Sequence, residues 1–214
     1  MKTNNDFSLM YVTDDRIVND SDFFNVLEKS LEGGVSLIQL REKSLNTKHF
    51  YKRAIKTKAL CDRYETPLII NDRLDIALAV DASGLHIGQT DLPFKIARTI
   101  LGENKIIGIS ISNQYQVIES NSYNVDYIGL SPIFSTKTKT KDLEDPLGLK
   151  GIKRLREISN KPIVSIGGIN KTNASEIIKH GSNGIAVISA ISKAINPKSA
   201  TEELKSIICH AYAS

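Results

Sequence analysis

The chain reads as a (β/α)8 TIM barrel, and three observations predict it. Eight short apolar runs read as buried strands and alternate with helical segments, the pattern of a parallel sheet. Most successive strands are spaced by about twenty to thirty-five residues, the length of a strand, a crossover helix and its loops. The length of 214 residues suits one closed barrel with a large core better than a doubly wound sheet. No linker or charge block divides the chain, so one domain over 1–214 is expected.

The elements follow in order. Leu9–Thr13 is the first strand. Asp20-Ser21-Asp22 offers a cap, Phe23, Val26, Leu27 and Leu31 recur at helical spacing, and Gly33-Gly34 stops the helix. Ser36–Leu40 is the second strand and runs into Arg41-Glu42-Lys43. A helix from Asn46-Thr47 carries Phe50, Ala54, Cys61 and Tyr64 as its apolar stripe. Leu68-Ile69-Ile70 and Leu85-His86-Ile87 are the third and fourth strands, joined by the helical crossover Arg73–Val80. Leu92-Pro93 opens a helix through Ile96, Ala97 and Ile100 that ends near Gly102. Ile106–Ile111 is the fifth strand, a polar helix follows from Asn113, and Tyr127–Ser131 is the sixth strand. Pro132–Pro146 is a polar loop too long for a plain connector, and loops of this kind often bind or cover a ligand. Helix Leu147–Ile158, strand Ile163–Ile166, helix Thr172–Lys179, strand Gly184–Ile188 and a last helix Ser199–Ala211 complete the pattern.

Composition narrows the function. With 41% hydrophobic and 24% charged residues the chain is an ordinary globular protein. A net charge of +4 suits an anionic small molecule and is too weak and dispersed for nucleic acid. The opening MKTNNDFSLMYV has no apolar signal core, and no apolar run spans a membrane, so a cytoplasmic protein is expected. Cys61 and Cys209 sit on helical patterns without metal-ligand spacing and read as buried thiols in a reducing compartment. The four histidines read as structural or surface residues, three on helices and His86 inside a strand.

Chemistry in this fold sits past the C-terminal ends of the strands. Arg41 and Lys43 follow the second strand and alternate, so both side chains point the same way. Asn71-Asp72 follows the third strand, Asp91 the fourth, and Ser110 ends the fifth. Thr136, Lys137, Thr138 and Lys139 follow the sixth, Gly167-Gly168 the seventh, and Ile188-Ser189 the eighth. Two carboxylates on one rim suit Mg2+, which keeps waters and shares a substrate phosphate. A simple helix cap by Asn71 or Asp72 is the plainer alternative. Glycines after the seventh strand and a hydroxyl after the eighth suit a phosphate site, where backbone N–H groups reach the anion. One metal-held diphosphate and one monophosphate on a single face suggest transfer of a group from a diphosphate to a phosphorylated acceptor.

These stretches resemble the thiamine-phosphate synthase family. Gly34-Val35-Ser36-Leu37-Ile38-Gln39-Leu40-Arg41-Glu42-Lys43 is similar to its GGVxxxQLREK stretch, Ile70-Asn71-Asp72-Arg73 to its INDR segment, and His86–Leu92 to its HxGQxDL segment. Thr136–Lys139 resembles its TxTK loop, Val164–Asn170 its IGGIN segment, and Val187–Ile191 its VxSAI segment. The resemblance implies a transferase joining 4-amino-5-hydroxymethyl-2-methylpyrimidine diphosphate to 4-methyl-5-(2-phosphoethyl)thiazole, free or carboxylated. It implies Mg2+ at Asp72 and Asp91. It places the pyrimidine diphosphate on Gln39, Leu40, Arg41, Glu42, Lys43, Asn71, Ser110 and Lys139, with Arg41, Lys43, Lys139 and Ser110 as the catalytic set. It places the thiazole phosphate on Thr136, Lys137, Thr138, Gly168, Ile188 and Ser189. Ser135 stands where the family often has proline, and Ser112 where relatives often have histidine. A thiazole tautomerase, an isomerase on the same barrel, or a non-catalytic thiazole or thiamine phosphate binder are the alternatives. Small-molecule partners are implied, and a homo-oligomer stays open.

Overall fold

The computed structural model describes residues 6–136 and 145–213. Eight strands close into a parallel barrel in chain order, each paired with its neighbours and β1 with β8. The strands are β1 (Leu9–Val12), β2 (Leu37–Leu40), β3 (Leu68–Asn71), β4 (Gly84–Ile87), β5 (Ile106–Ile111), β6 (Tyr127–Leu130), β7 (Ile163–Ile166) and β8 (Gly184–Val187). The helices around them are α1 (Asp20–Glu32), α2 (Thr47–Arg63), α3 (Leu74–Ala79), α4 (Phe94–Leu101), α5 (Gln114–Asn121), α6 (Gly148–Ile158), α7 (Ala174–Lys179), α8 (Ser189–Ser192) and α9 (Pro197–Tyr212). The predicted barrel and all eight strands are present. The four-residue α8 was not expected from the sequence, which is too short there for a periodicity to show.

The core has two compartments, as strand alternation requires. Residues such as Leu9, Ile38, Leu40, Ile70 and Leu85 pack outward beneath the helices. Met10, Val12, Leu37, Ile69, Ile106, Tyr127, Val164 and Ala186 fill the barrel itself. The period of two continues past β2: Leu37 and Gln39 face inward, so Arg41 and Lys43 follow them to the inner side.

Several helices differ from the sequence reading in detail. α1 is capped by Asn19, whose side chain accepts from the Asp22 N–H, one residue ahead of the expected acidic cap. The buried face of α2 includes Arg53 and Thr57, while Tyr64 is its half-buried C-cap. In α4, Ile96 and Ile100 are exposed and Arg98 is buried. Arg98 takes the inner face because it pairs with Asp126 at 2.8 Å and donates to the carbonyls of Gly102, Lys105 and Asn124. Cys61 is buried as expected, but Cys209 is exposed, on the outer side of α9. No described helix is long and apolar enough to cross a membrane.

Candidate active site

A cavity of about 450 Å³ opens at the C-terminal ends of the strands. Of the residues expected there, it gathers Gln39, Arg41, Lys43, Asn71, Asp72, Asp91, Ser110, Thr136, Gly168, Ile188 and Ser189 into one lining. Lys137, Thr138 and Lys139, and most of the expected 132–146 covering loop, lie outside the described residues.

Leu40 and Glu42 do not belong to that lining. They occupy the positions between Gln39, Arg41 and Lys43, so the same alternation that aims those three inward turns these two outward. Leu40 packs in the outer core. The Glu42 side chain is fully buried against α2 and meets Arg53 at 2.7 Å. Burial pushes the Glu42 carboxyl upward against the opposing pull of Arg53. Arg53 also bonds Asp20 of α1, so the Arg41-Glu42-Lys43 segment is anchored from behind.

The cationic side is held by acidic partners. Arg41 pairs with Asp15 at 2.8 Å, and Lys43 donates to Asp72. Asp14, beside Asp15, accepts from Arg16 and from Ser192 of α8, tying the loop after β1 to the loop after β8. Burial works to raise the Asp14 carboxyl, but these hydrogen bonds outweigh it and hold it below its usual value.

Asp72 settles the question of a simple cap. α3 begins at Arg73 as N-cap and has no side-chain cap hydrogen bond. Asp72 instead has φ 63, a left-handed conformation that costs a non-glycine residue free energy. That turn breaks the strand alternation after Asn71 and brings the carboxylate to the rim. There it shares the cavity lining with Asp91, whose carboxyl is raised by burial first, with Asp72 adding to the rise and Lys43 opposing it. The Gly88 N–H donates to Asp91 at 2.7 Å and fixes it from the β4 side.

The loop after β7 is built on glycine. Gly167 and Gly168 have φ 109 and 65. A Cβ on Gly168 would lie 2.8 Å from Phe134 Cβ and from the Ser135 carbonyl. The close approach lets Ile133 and Phe134 donate to the carbonyls of Ile166 and Gly167, which stitches the loop after β6 to the loop after β7. Ser189 is the first residue of α8, whose leading N–H groups have no partner within the helix.

The profile of a family described as thiamine monophosphate synthase matches residues 9–191. The chain belongs to that family. It is 43% identical over 205 residues to the thiamine-phosphate synthase of Persephonella marina, covering 95% of this chain and 96% of that one. It is 46% identical to the thiamine-phosphate synthase of Vibrio campbellii over 200 residues, covering 94% and 97%. The solved thiamine phosphate pyrophosphorylase of Pyrococcus furiosus superposes with a TM-score of 0.86 at 36% identity, covering 97% of this chain and 98% of that one. As a thiamine-phosphate synthase the chain is a transferase.

The cavity lining also includes residues that the sequence reading did not place in a site. His86 and Tyr127 line the cavity from inside the barrel. His86 lies between two partners, Tyr127 Oη at 2.8 Å and Ser110 Oγ at 2.9 Å. Burial drives its imidazole down to about 4, with Asp91 opposing. Strand parity was the available signal, since His86 shares the inward parity of Gly84 and Gly88. Gln89 also joins, donating to the Ser110 carbonyl at 2.6 Å. Ser112 lines the cavity too, with its N–H donating to Gln116 at 2.8 Å.

Proposed function

We propose that the rim carrying Asp72, Asp91, Arg41 and Lys43 binds 4-amino-5-hydroxymethyl-2-methylpyrimidine diphosphate. The rim carrying Gly168, Ile188, Ser189 and Thr136 then takes 4-methyl-5-(2-phosphoethyl)thiazole, free or carboxylated. The observation that carries the reading is that Asp72 and Asp91 line one cavity, with Lys43 paired to Asp72. Two acids brought together at a cavity mouth, one at the cost of a left-handed backbone, form a donor set for a hard dication.

Asp72 and Asp91 would hold Mg2+. Among the described residues no group of three or more His, Cys, Asp or Glu gathers to hold a metal, and two carboxylates suit an ion that keeps waters and takes substrate oxygens. When bound, Mg2+ offsets the negative charge that grows on the departing diphosphate. Arg41 adds a charge already oriented by Asp15, and Lys43 adds one already oriented by Asp72. Lys139 completes the cationic set in this reading, with Lys137 and Thr138 on the thiazole phosphate. The methylene–oxygen bond breaks, diphosphate leaves with the electron pair, and the thiazole nitrogen lone pair forms the new carbon–nitrogen bond. The chain needs no general base at that nitrogen, since its lone pair is free. The setting is a cytoplasmic enzyme with small-molecule substrates.

The test is turnover of both substrates with Mg2+, followed as thiamine phosphate after oxidation to its fluorescent thiochrome. Product that EDTA abolishes is the expected result. Full activity in EDTA overturns the metal assignment.

A further inference from the structure

The barrel interior below the cavity holds a line of polar side chains with a definite direction. Gln39, at the inner side, donates from its amide to Met10 Sδ at 3.4 Å. Tyr127 Oη meets His86 Nδ1 at 2.8 Å, and His86 Nε2 meets Ser110 Oγ at 2.9 Å. Tyr127 and His86 are 1% and 8% exposed, so neither has bulk water as an alternative partner. The cavity is open to Ser110 at the end of the line.

The neighbouring strands are shaped to admit this line. Gly108 pairs in register with His86 on one side and Tyr127 on the other. A Cβ on Gly108 would stand 2.1 Å from Tyr127 Cζ. A Cβ on Gly129, which pairs with Ser110, would stand 3.1 Å from His86 Cε1. Two glycines in strand centres weaken the sheet unless the space is used. Here the space holds a tyrosine and a histidine stacked with ring centroids 5.5 Å apart.

The polarity follows from the donors present. The Tyr127 phenol is buried and meets His86 Nδ1 at 2.8 Å, so its O–H donates there. A neutral imidazole that accepts at Nδ1 donates at Nε2, and Ser110 Oγ accepts there. The Ser110 hydroxyl then has its own hydrogen to give, and the open direction is the cavity. We propose that Tyr127 and His86 are positioning residues that hold the Ser110 hydroxyl as a fixed hydrogen-bond donor toward an acceptor nitrogen of the bound aminopyrimidine ring. This rests on the reading of the cavity as the pyrimidine diphosphate site. A free serine rotor serves a donor or an acceptor equally, whereas a directed one rejects rings that lack the acceptor, because a buried donor is left unpaired.

The experiment compares two ligands by titration calorimetry in Mg2+: inorganic diphosphate and the aminopyrimidine diphosphate. The proteins are wild type, Tyr127→Phe, His86→Leu and His86→Gln, each checked for a cooperative melt. Tyr127→Phe keeps the ring packed between Phe7 and His86. Tyr127→Phe and His86→Leu are expected to bind the pyrimidine diphosphate about tenfold more weakly, the effect of one lost hydrogen bond, and inorganic diphosphate within about twofold of wild type. His86→Gln, whose amide can still donate to Ser110, is expected to recover most of the loss. In turnover, KM for the pyrimidine diphosphate rises and KM for the thiazole phosphate does not. Equal weakening of both ligands, or of neither, overturns the directed line and leaves these residues as packing. Wild type that binds inorganic diphosphate but not the pyrimidine compound overturns the ligand assignment and the proposal with it. Wild type that binds neither overturns the diphosphate site itself.

Discussion

Glu42 stands between two residues of the cationic rim and never reaches the cavity, so its removal separates anchoring from binding. The Glu42 and Arg53 side chains are 0% and 4% exposed and meet at 2.7 Å. Breaking a buried pair by deleting one partner costs about 3–5 kcal/mol, because the other charge stays buried without compensation. Glu42→Ala leaves Arg53 with Asp20 at 2.5 Å and the carbonyls of Ile17 and Val18 at 3.5 and 3.3 Å. The Asp20 side chain is 56% exposed, so solvent screens that pair and its compensation is partial. Glu42 Oε2, moreover, has no hydrogen-bond partner among the described residues, so part of its own burial is already unfavourable. Both considerations place the loss at the lower end, about 3 kcal/mol. For a chain of this size that is a fall in Tm of about 6–12 °C, at about 2–4 °C per kcal/mol.

The same substitution loosens the backbone that carries Arg41 and Lys43. Calorimetric melting gives the stability term, and steady-state kinetics gives the second readout: KM for the pyrimidine diphosphate rises while KM for the thiazole phosphate stays. Glu42→Gln, which keeps an acceptor for Arg53, is expected to fall between wild type and Glu42→Ala on both measures. A Glu42→Ala protein that melts within about 2 °C of wild type refutes the anchoring argument. One that melts low but binds the diphosphate normally confines the pair to stability.

Three further outcomes follow from the geometry. Asp91→Asn is expected to lower turnover by about a hundredfold or more at limiting Mg2+, as loss of a main electrostatic contributor does, and a rate within threefold of wild type removes Asp91 from the metal set. Asp14 has its folded pKa held below the unfolded value of about 3.9, so its contribution is present above that pH and lost as pH falls through the folded value. The Tm gap between wild type and Asp14→Asn is therefore full at neutral pH and closes below about pH 4; a gap that persists unchanged at pH 2 contradicts the assignment. Cys209 is exposed, while Cys61 is buried with its thiol pushed up to about 12 by burial. A thiol reagent at pH 8 is expected to modify one cysteine in the native chain and two after denaturation, and rapid reaction of both in the native state contradicts the burial of Cys61.

Much of this molecule is readable from local pattern, and what escapes has a common cause. The eight strands announce themselves because parallel strands are apolar on both faces, and the rim charges follow because each comes directly after such a run. Period-two alternation then sorts Gln39, Arg41 and Lys43 to the cavity, and it also sends Leu40 and Glu42 away from it. A motif matched as a continuous string hides that division, since neighbours in sequence face opposite sides of the sheet. His86 escapes for the opposite reason. It sits inside a strand rather than after it, and its partners Tyr127 and Ser110 lie 41 and 24 residues further along the chain. Only the pairing of β4, β5 and β6 sets Gly108 between His86 and Tyr127 and makes two glycines and two aromatic rings one feature. Asp72 marks the boundary between the two kinds of information. Its position after β3 is plain in the sequence, but its φ of 63 is not, because an aspartate specifies no left-handed turn by itself. The backbone hydrogen bond from Asp72 N to the His86 carbonyl, at 2.8 Å, holds that turn. One residue pair thus joins the rim to the buried line: the backbone of His86 fixes the turn that presents Asp72, and its side chain fixes Ser110. The acid pair and the hydroxyl are set at a fixed separation by β4, so a ligand that spans both must match that separation.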